Sequence, residues 1–200
     1  MNNFKNTKNK YLSATFSKLN LSSEEIHSKE FDNCTFERCN FSETRFKNCS
    51  FIDSCFVECN LSIMNVHGSK FSNVIFNECK AIGIDWNKAS WPKIALFSPI
   101  EFHNCNINDS SYFGLSLDQI ILKKCKAHNV DFREGNFREG NFTNTDLSNS
   151  MFNGTNLTEA DFTDAINYNI NIYLNNIQNA KFSRCEAISL LNNIGIKLVD

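Results

Sequence analysis

A five-residue period runs through this sequence, and very few folds can accommodate it. Between residues 31 and 61 a large apolar residue stands at every fifth position, seven times in succession. An α-helix spaces its apolar residues three and four apart, and a half-buried β-strand spaces them two apart. Because a strict spacing of five matches neither, we expect each five-residue unit to form one side of a coil that turns a corner and repeats.

The period can be followed along most of the chain. If the large residue is called the centre of each unit, a first series of centres ends at Trp91, and a second series, shifted by one residue, runs through Asn167 to Phe182. The residue two positions before a centre is usually small or a cysteine. Proline cannot donate a hydrogen bond to a β-ladder and fits best in a bulge or loop. We therefore place a short loop with one extra residue at Pro92, Lys93, Ile94, Ala95 and Leu96.

Three units in the second half share a nearly uniform motif: Thr145-Asp-Leu147-Ser-Asn, Thr155-Asn-Leu157-Thr-Glu and Ala160-Asp-Phe162-Thr-Asp. They resemble the Ala-(Asp/Asn)-Leu-X-X consensus of the pentapeptide-repeat family. The resemblance implies an all-β fold, a right-handed quadrilateral β-helix with four units per coil, over about residues 14–182. Both the centre and the small residue would point inward, and residues 1–13 would form an N-terminal tail or cap.

A coil of about 20 residues makes a specific prediction about stacking. Centres 20 residues apart should lie one above the other at the strand spacing of roughly 4.8 Å. Phe31, Phe51, Phe71 and Trp91 would then form one ladder of aromatic rings, and Phe36, Phe56 and Phe76 another. About eight coils give a rod roughly 40 Å long.

The period is lost after Phe182, where a short helical cap is expected. Ile188, Leu191 and Ile194 follow a helical spacing of three, and Gly195 suits a helix C-cap. The Leu190-Leu191 and Ile194-Gly195-Ile196 segments resemble the C-terminus of the quinolone-resistance (Qnr) group of pentapeptide-repeat proteins. That resemblance implies that residues 183–200 cap the coil and join two monomers into a homodimer, through Ile188, Leu190, Leu191, Ile194, Ile196 and Leu198.

Composition and charge exclude several classes of protein. The formal net charge is −2, from 20 basic and 22 acidic residues, which argues against a direct nucleic-acid binder. The first residues lack the apolar core of a secretory signal, and no apolar run approaches the ~20 residues of a membrane span. We therefore expect a cytoplasmic protein without a membrane partner.

Cysteines and histidines do not form a recognisable reactive site in the sequence. Eight of the nine cysteines, all except Cys55, occupy the small inward position, where a free cysteine behaves as a compact apolar residue. Cys55 should point outward and be the reactive thiol. Close CxxC pairs for a metal are absent, as are a catalytic triad signature and a phosphate-binding glycine motif. We predict no metal, no cofactor and no enzymatic activity.

Acidic residues are distributed unevenly. Between residues 139 and 180 there are five acids and neither Lys nor Arg: Glu139, Asp146, Glu159, Asp161 and Asp164. Glu139 and Glu159 should lie on adjacent coils. Such a strip is either a docking surface or an ordinary solvated face.

Two functions are compatible with the sequence. Resemblance to the Qnr group implies a non-catalytic DNA mimic that occupies the DNA-binding saddle of gyrase or topoisomerase IV, and protects that enzyme from quinolones or peptide toxins. The five acids would then stand in for phosphates. The alternative is a general protein-interaction scaffold with another partner, which acids scattered over several faces would favour.

Overall fold

The computed structural model describes residues 8–92 and 98–196, apart from the side chains of residues 192 and 193. Lys93, Ile94, Ala95, Leu96 and Leu198 therefore lie outside the described residues. The strands are β1 (Lys10–Leu12), β2 (Thr15–Ser17), β3 (Glu25–His27), β4 (Glu30–Asp32), β5 (Thr35–Glu37), β6 (Arg45–Lys47), β7 (Ser50–Ile52), β8 (Cys55–Val57), β9 (Lys70–Ser72), β10 (Val74–Asn77), β11 (Ile100–His103), β12 (Ile121–Lys123), β13 (Asp161–Phe162) and β14 (Lys181–Phe182). A 3₁₀ helix spans Trp86–Lys88, and α1 (Arg184–Ala187) leads into a second 3₁₀ helix, Ile188–Asn193.

All the paired strands are parallel, and each lies beside the strand one coil away. The larger sheets have the orders β1-β4-β7-β9 and β2-β5-β8-β10-β11-β12, and isolated bridges such as Asn20 with Asn40 extend the pairing. The predicted right-handed quadrilateral β-helix is confirmed, with about eight coils. Pairing begins at Lys10, four residues before the predicted start of the β-helix, and ends at Phe182.

Each coil has four walls, which we number in the order of their centres. Wall 1 is centred on Phe31, Phe51 and Phe71, wall 2 on Phe36, Phe56 and Phe76, wall 3 on Phe41, Leu61 and Ala81, and wall 4 on Phe46, Val66 and Trp86. These centres are almost completely buried. Because the flanking residues of each centre point outward, the described part of the coil offers its outer walls and its two ends to other molecules.

Aromatic ladders fill the interior as predicted. The ring centroids of Phe36 and Phe56 are 4.6 Å apart and those of Phe56 and Phe76 are 5.0 Å apart, with nearly parallel planes. Rings on neighbouring walls meet edge to face, as Phe31 and Phe36 do at 5.2 Å and 74°. Both arrangements are those that the ring quadrupole favours, so the phenylalanines fix the spacing and the orientation of the coils.

The predicted loop at residues 92–96 is larger than one extra residue. Phe76 pairs with Phe102, and Asp85 with Ser111, in each case 26 residues apart. The coil that contains the insertion is therefore 26 residues long instead of 20. The insertion has six residues and lies between Trp91 and Phe102. An insertion of six and an insertion of one shift a five-residue period equally, which is why the sequence could not distinguish them.

The last coil departs from the predicted register at Asn167. This residue is exposed, with φ of +59°, and Tyr168 takes the inward place instead at 2% exposure. The Tyr168 ring packs 5.4 Å from that of Phe182. A buried amide side chain would need hydrogen-bond partners that the apolar interior does not supply, so a local shift by one residue exchanges it for the tyrosine.

The helical cap is built mostly from 3₁₀ helix. The spacing of three among Ile188, Leu191 and Ile194 is that of a 3₁₀ helix, in which residues three apart lie on one side. Gly195 ends the segment with φ of +71°, as a C-terminal glycine often does. Leu190 packs against the core of the coil, so the segment covers the end of the β-helix.

Candidate interaction surfaces

Five buried thiols form a ladder along the inner side of wall 3: Cys39, Cys59, Cys79, Cys105 and Cys125. Each sulfur donates to a carbonyl oxygen of the preceding coil, as Cys59 Sγ does to Phe36 over 3.3 Å. Burial raises the pKa of the Cys125 thiol, as it does for Cys34 and Cys49 on other walls. The inward placement of these seven cysteines is confirmed, and their hydrogen bonds give them a structural role.

The exposed thiol is Cys185, contrary to the sequence-based expectation. The period predicts an inward position for Cys185, but this residue lies in α1 and faces solvent. The five-residue period no longer decides orientation beyond Phe182, because the backbone there is helical. Cys55 is only half-buried on the outside of wall 2, and burial raises its pKa, which disfavours the nucleophilic thiolate.

The histidines lie on the outside of the coils. His27 and His67 are exposed, while His103 and His128 are partly exposed and contact the carboxylates of Glu101 and Asp146 at 3.0 and 2.8 Å. Across residues 8–92 and 98–196, no group of three or more His, Cys, Asp or Glu side chains is arranged to hold a metal ion.

Four of the five predicted partner-binding acids lie on wall 2 or at its two edges. Glu139 and Glu159 occupy equivalent corner positions between walls 1 and 2 on successive coils, and Asp161 belongs to β13 on wall 2. Asp164 stands at the corner between walls 2 and 3. Asp146 is separate from them, because it lies on wall 3, where it pairs with Lys126 and Ile166.

Cations just outside the acidic segment compensate part of its charge. Arg138 Nη2 lies 2.7 Å from Glu139 Oε1 and 3.9 Å from Glu159 Oε1, and Lys181 Nζ lies 3.7 Å from Asp161 Oδ2. These partners are residues immediately before and after the interval that the sequence singled out. Asp164 makes no ion pair with any described residue, and its carboxylate accepts a hydrogen bond from the Ser183 hydroxyl.

Asp146 is held in place by contacts with three neighbouring residues. Its partners are the Ser148 hydroxyl at 2.7 Å, the Asn167 side-chain amide at 2.9 Å and His128 Nε2 at 2.8 Å. Partial burial alone would raise the pKa of Asp146, but these hydrogen bonds outweigh it and lower the pKa to about 2. The carboxylate is therefore part of a local polar network and is less available to an external partner.

Exposed apolar side chains concentrate at the C-terminal end. Ile188 and Ile196, predicted for the dimer interface, are 51% and 50% exposed. Leu190, Leu191 and Ile194 are partly buried in the cap. The sequence analysis missed further exposed apolar residues in the last coils, which stand outside the inward positions: Met151, Ile166, Tyr173 and Leu174. Large apolar residues at the outward positions of a unit are the signal that could have found them.

No helix among the described residues has the length and apolar character needed to cross a membrane. Compared with curated protein sequences, the chain has no significant match. Comparison with solved structures finds a trypsin-treated form of QnrB1, a plasmid-mediated fluoroquinolone resistance protein, at 20% identity and a TM-score of 0.67, covering 92% of this chain and 100% of that one.

Two other structures are similar over most of their length. Full-length QnrB1 matches at 18% identity with a TM-score of 0.46, covering 94% of this chain and 100% of that one. HetL, a pentapeptide repeat protein involved in heterocyst differentiation regulation in the cyanobacterium Nostoc, matches at 14% identity with a TM-score of 0.27, covering 86% of each chain.

The family model described as a pentapeptide repeat region matches residues 29–112 and 93–162, more than half of the sequence. The walls, the inward centres and the coil length all agree with that description. The chain belongs to the pentapeptide-repeat family.

Proposed function

We propose that this protein is a non-catalytic DNA mimic that binds DNA gyrase or topoisomerase IV and protects it from quinolones or peptide toxins. The observation that carries the proposal is the set of acids on wall 2 and its corners. Glu139 and Glu159 repeat at the coil spacing of roughly 4.8 Å, and exposed Glu159 and Asp164 flank the wall on its two sides. DNA carries one phosphate per roughly 3.4 Å of each strand, so the charge spacing is similar in scale.

The fold supports this role in a second way. The interior of the described coils is filled by rings and thiols, so their outer walls and ends are the surfaces they offer to a partner. QnrB1, whose coil is similar, is a fluoroquinolone resistance protein. Because type II topoisomerases act on intracellular DNA, a protein with this function would work in the cytoplasm.

A general protein-interaction scaffold is the second candidate. Two observations favour it: Arg138 and Lys181 lie close to three of the acids, and Asp146 stands on a different wall from the others. Under this alternative the same outer walls bind a protein that has no DNA-binding surface.

A binding assay distinguishes the two. We expect the purified protein to bind gyrase or topoisomerase IV, to alter supercoiling or decatenation, and to reduce quinolone-stabilised cleavage. Binding should weaken as the salt concentration rises, because charge-driven contacts are screened. Absence of binding to both enzymes at low salt would reject the topoisomerase partner and leave the scaffold function.

A pair of double variants tests the acids themselves. Glu159→Gln with Asp164→Asn should reduce the affinity about tenfold and make it less dependent on salt. The matched control, Glu25→Gln with Glu134→Gln, removes the same charge from wall 4 and from its corner with wall 1, away from wall 2, and should leave the affinity unchanged. Equal losses in the two double variants would mean that net charge alone, and not wall 2, matters.

We also propose that the C-terminal end joins two copies of the chain. Ile166, Tyr173, Leu174, Ile188 and Ile196 are all exposed there, and apolar surface of this kind is typical of homodimer interfaces. The homodimer would present two rods end to end, which lengthens the surface that imitates duplex DNA.

A further inference from the structure

The hydrogen-bonded ladder of wall 4 stops one coil before the C-terminal end. At Met151 the ladder is intact, because its N–H donates to the Val130 carbonyl oxygen over 2.9 Å and its own carbonyl accepts from Phe132 N–H over 3.0 Å. Asn171, one coil later, forms no bridge with Met151 or with any other residue in 8–92 and 98–196. The Asn171 carbonyl instead accepts a bond from Leu174 N–H over 3.2 Å. The last coil therefore leaves the edge of wall 4 uncovered.

Three backbone groups lose their partners at this edge. They are the N–H groups of Asn149 and Phe152 and the carbonyl of Ser150, none of which is hydrogen-bonded within the part of the chain that the structure describes. One coil earlier the equivalent Asn129 N–H donates to the Ser148 carbonyl oxygen over 3.0 Å. Nearly all buried backbone groups in native proteins are paired, and an unpaired strand edge is a template for another chain.

A cavity of about 380 Å³ opens over this edge, between residues 149–153 and the start of the last coil. The side chains that line it are uncharged. Three of them carry a carboxamide without a hydrogen bond to any residue that the structure describes: Asn149, Asn153 and Asn169. By contrast, the Asn129 side chain, at the same corner as Asn149, donates to the preceding coil over 3.0 Å. The cavity thus combines open backbone groups with free amide groups.

We infer that this cavity binds an extended peptide segment of a partner protein, which adds a parallel strand to wall 4. A single extended residue carries the missing groups, since its N–H can donate to the Ser150 carbonyl oxygen while its carbonyl accepts from Phe152 N–H. Met151 makes this pair of bonds one coil earlier. Main-chain hydrogen bonds of this kind supply the affinity in strand addition. The site is separate from the acids of wall 2, so the inference does not rest on a topoisomerase partner.

The side chains around the edge define the sequence of the segment. Residues of an added strand lie over their equivalents in the coil below, so the paired residue covers Met151, which is 39% exposed, and should be apolar. The residues two before and two after it lie over Asn149 and Asn153 and should be asparagines. Stacked asparagines already bond in this chain, since Asn40 Nδ2 donates to Asn20 Oδ1 over 3.1 Å. The two intervening residues point into the coil and should be small.

The test is amide hydrogen exchange of the full chain, followed by NMR with and without the peptide acetyl-Ser-Asn-Ala-Leu-Ala-Asn-Ser-amide. Without peptide, the amides of Asn149 and Phe152 should exchange at least about tenfold faster than those of Asn129 and Phe132, which are hydrogen-bonded. The peptide at millimolar concentration should slow the first pair and leave the second pair unchanged.

Two N-methylated peptides test the direction of the hydrogen bonds. A methyl group on the leucine nitrogen removes the N–H that pairs with the Ser150 carbonyl, and should weaken binding about tenfold. A methyl group on the nitrogen of the next alanine is the control, because neighbouring N–H groups of a strand point to opposite edges. This second peptide should bind as the unmodified one does.

A pair of variants tests the amide groups. Asn149→Ala should weaken the peptide about threefold, because one hydrogen bond is lost. The matched control is Asn144→Ala, at the corner between walls 2 and 3, where φ is +58° compared with +59° at Asn149. Both variants place alanine in the same backbone conformation, and the control should leave the affinity unchanged.

Several results would overturn the inference. Protection of the Asn149 and Phe152 amides in the free protein would show that the edge is already covered. No binding at millimolar concentration, or equal binding of the two N-methylated peptides, would exclude strand addition. Equal protection by acetamide alone would mean that the cavity binds a small amide and not a peptide. None of these results bears on binding to gyrase or topoisomerase IV, which is measured separately.

Discussion

The backbone N–H of Cys39 donates a hydrogen bond to the Sγ atom of Cys59, 20 residues later in the chain, over 3.3 Å. The same thiol donates to the carbonyl oxygen of Phe36 over 3.3 Å. One small side chain therefore satisfies two backbone groups in the preceding coil. Ser69 makes the equivalent pair of bonds to Cys49 N–H and Phe46 C=O, over 3.0 and 2.9 Å. Cysteine, serine and threonine recur at this position because each can bridge two coils and still fit inside the tube.

This bridging role predicts how Cys59 responds to substitution. Cys59→Ala leaves a buried N–H and a buried C=O without their partner, which should lower the free energy of unfolding by about 2 kcal/mol. Cys59→Ser restores both hydrogen bonds and should remain closer to the wild type. Urea denaturation followed by circular dichroism measures the difference. A larger loss for serine than for alanine would show that the thiol acts only as an apolar filler.

Thiol reactivity should follow exposure in the structure. We expect one fast reaction with a thiol reagent at neutral pH, from exposed Cys185, and a slower one from Cys55, whose pKa is raised by burial. The seven interior cysteines should react only after unfolding. In Cys185→Ser the fast phase should disappear, whereas its survival would place another cysteine at the surface.

The five-residue period predicted most of the fold because it fixes both the inward residues and the pairing. Phe36, Phe56 and Phe76 lie in register because any other register would expose rings. The period could not reveal the length of the insertion after Trp91, because insertions of six residues and of one residue shift a five-residue period by the same amount. It also could not foresee that Tyr168 replaces Asn167 inside, because the period marks a position and not the cost of burying the amide side chain that stands there.

The candidate surfaces were less predictable than the interior. An acidic segment can be read from the sequence, but its partners Arg138 and Lys181 lie just outside the interval that defines it. Position in the unit predicts that each acid points outward, but not which cations lie beside it. The positive φ of the corner residues, +58° at Ile63, was invisible for a different reason, since it is a property of the backbone and not of the residue type.

Self-association at the C-terminal end is testable with one charged variant. Ile188→Glu with Ile196→Glu places two carboxylates on the exposed apolar surface and should convert a dimer to a monomer, because burying unpaired charges is costly. Light scattering after size exclusion at micromolar concentration gives the mass. Leu12→Glu at the opposite end of the rod is the control and should leave a dimer intact. A monomeric wild type under these conditions would rule out the homodimer.

The hydrogen bonds to Asp146 predict a specific loss of stability in acid. The pKa of Asp146 is about 2 in the folded protein and close to 3.9 in an unfolded chain. A lowered carboxyl pKa stabilises the fold above the unfolded value, so this contribution is fully present above about pH 4 and is lost as the pH falls toward 2. It amounts to about 2 kcal/mol. In Asp146→Asn that pH-dependent part should be missing, whereas Ser148→Ala, which removes one donor, should retain part of it. Urea unfolding at intervals from pH 6 to pH 2 measures the three proteins. Parallel curves for the wild type and Asp146→Asn would mean that the carboxylate gains nothing from its three partners.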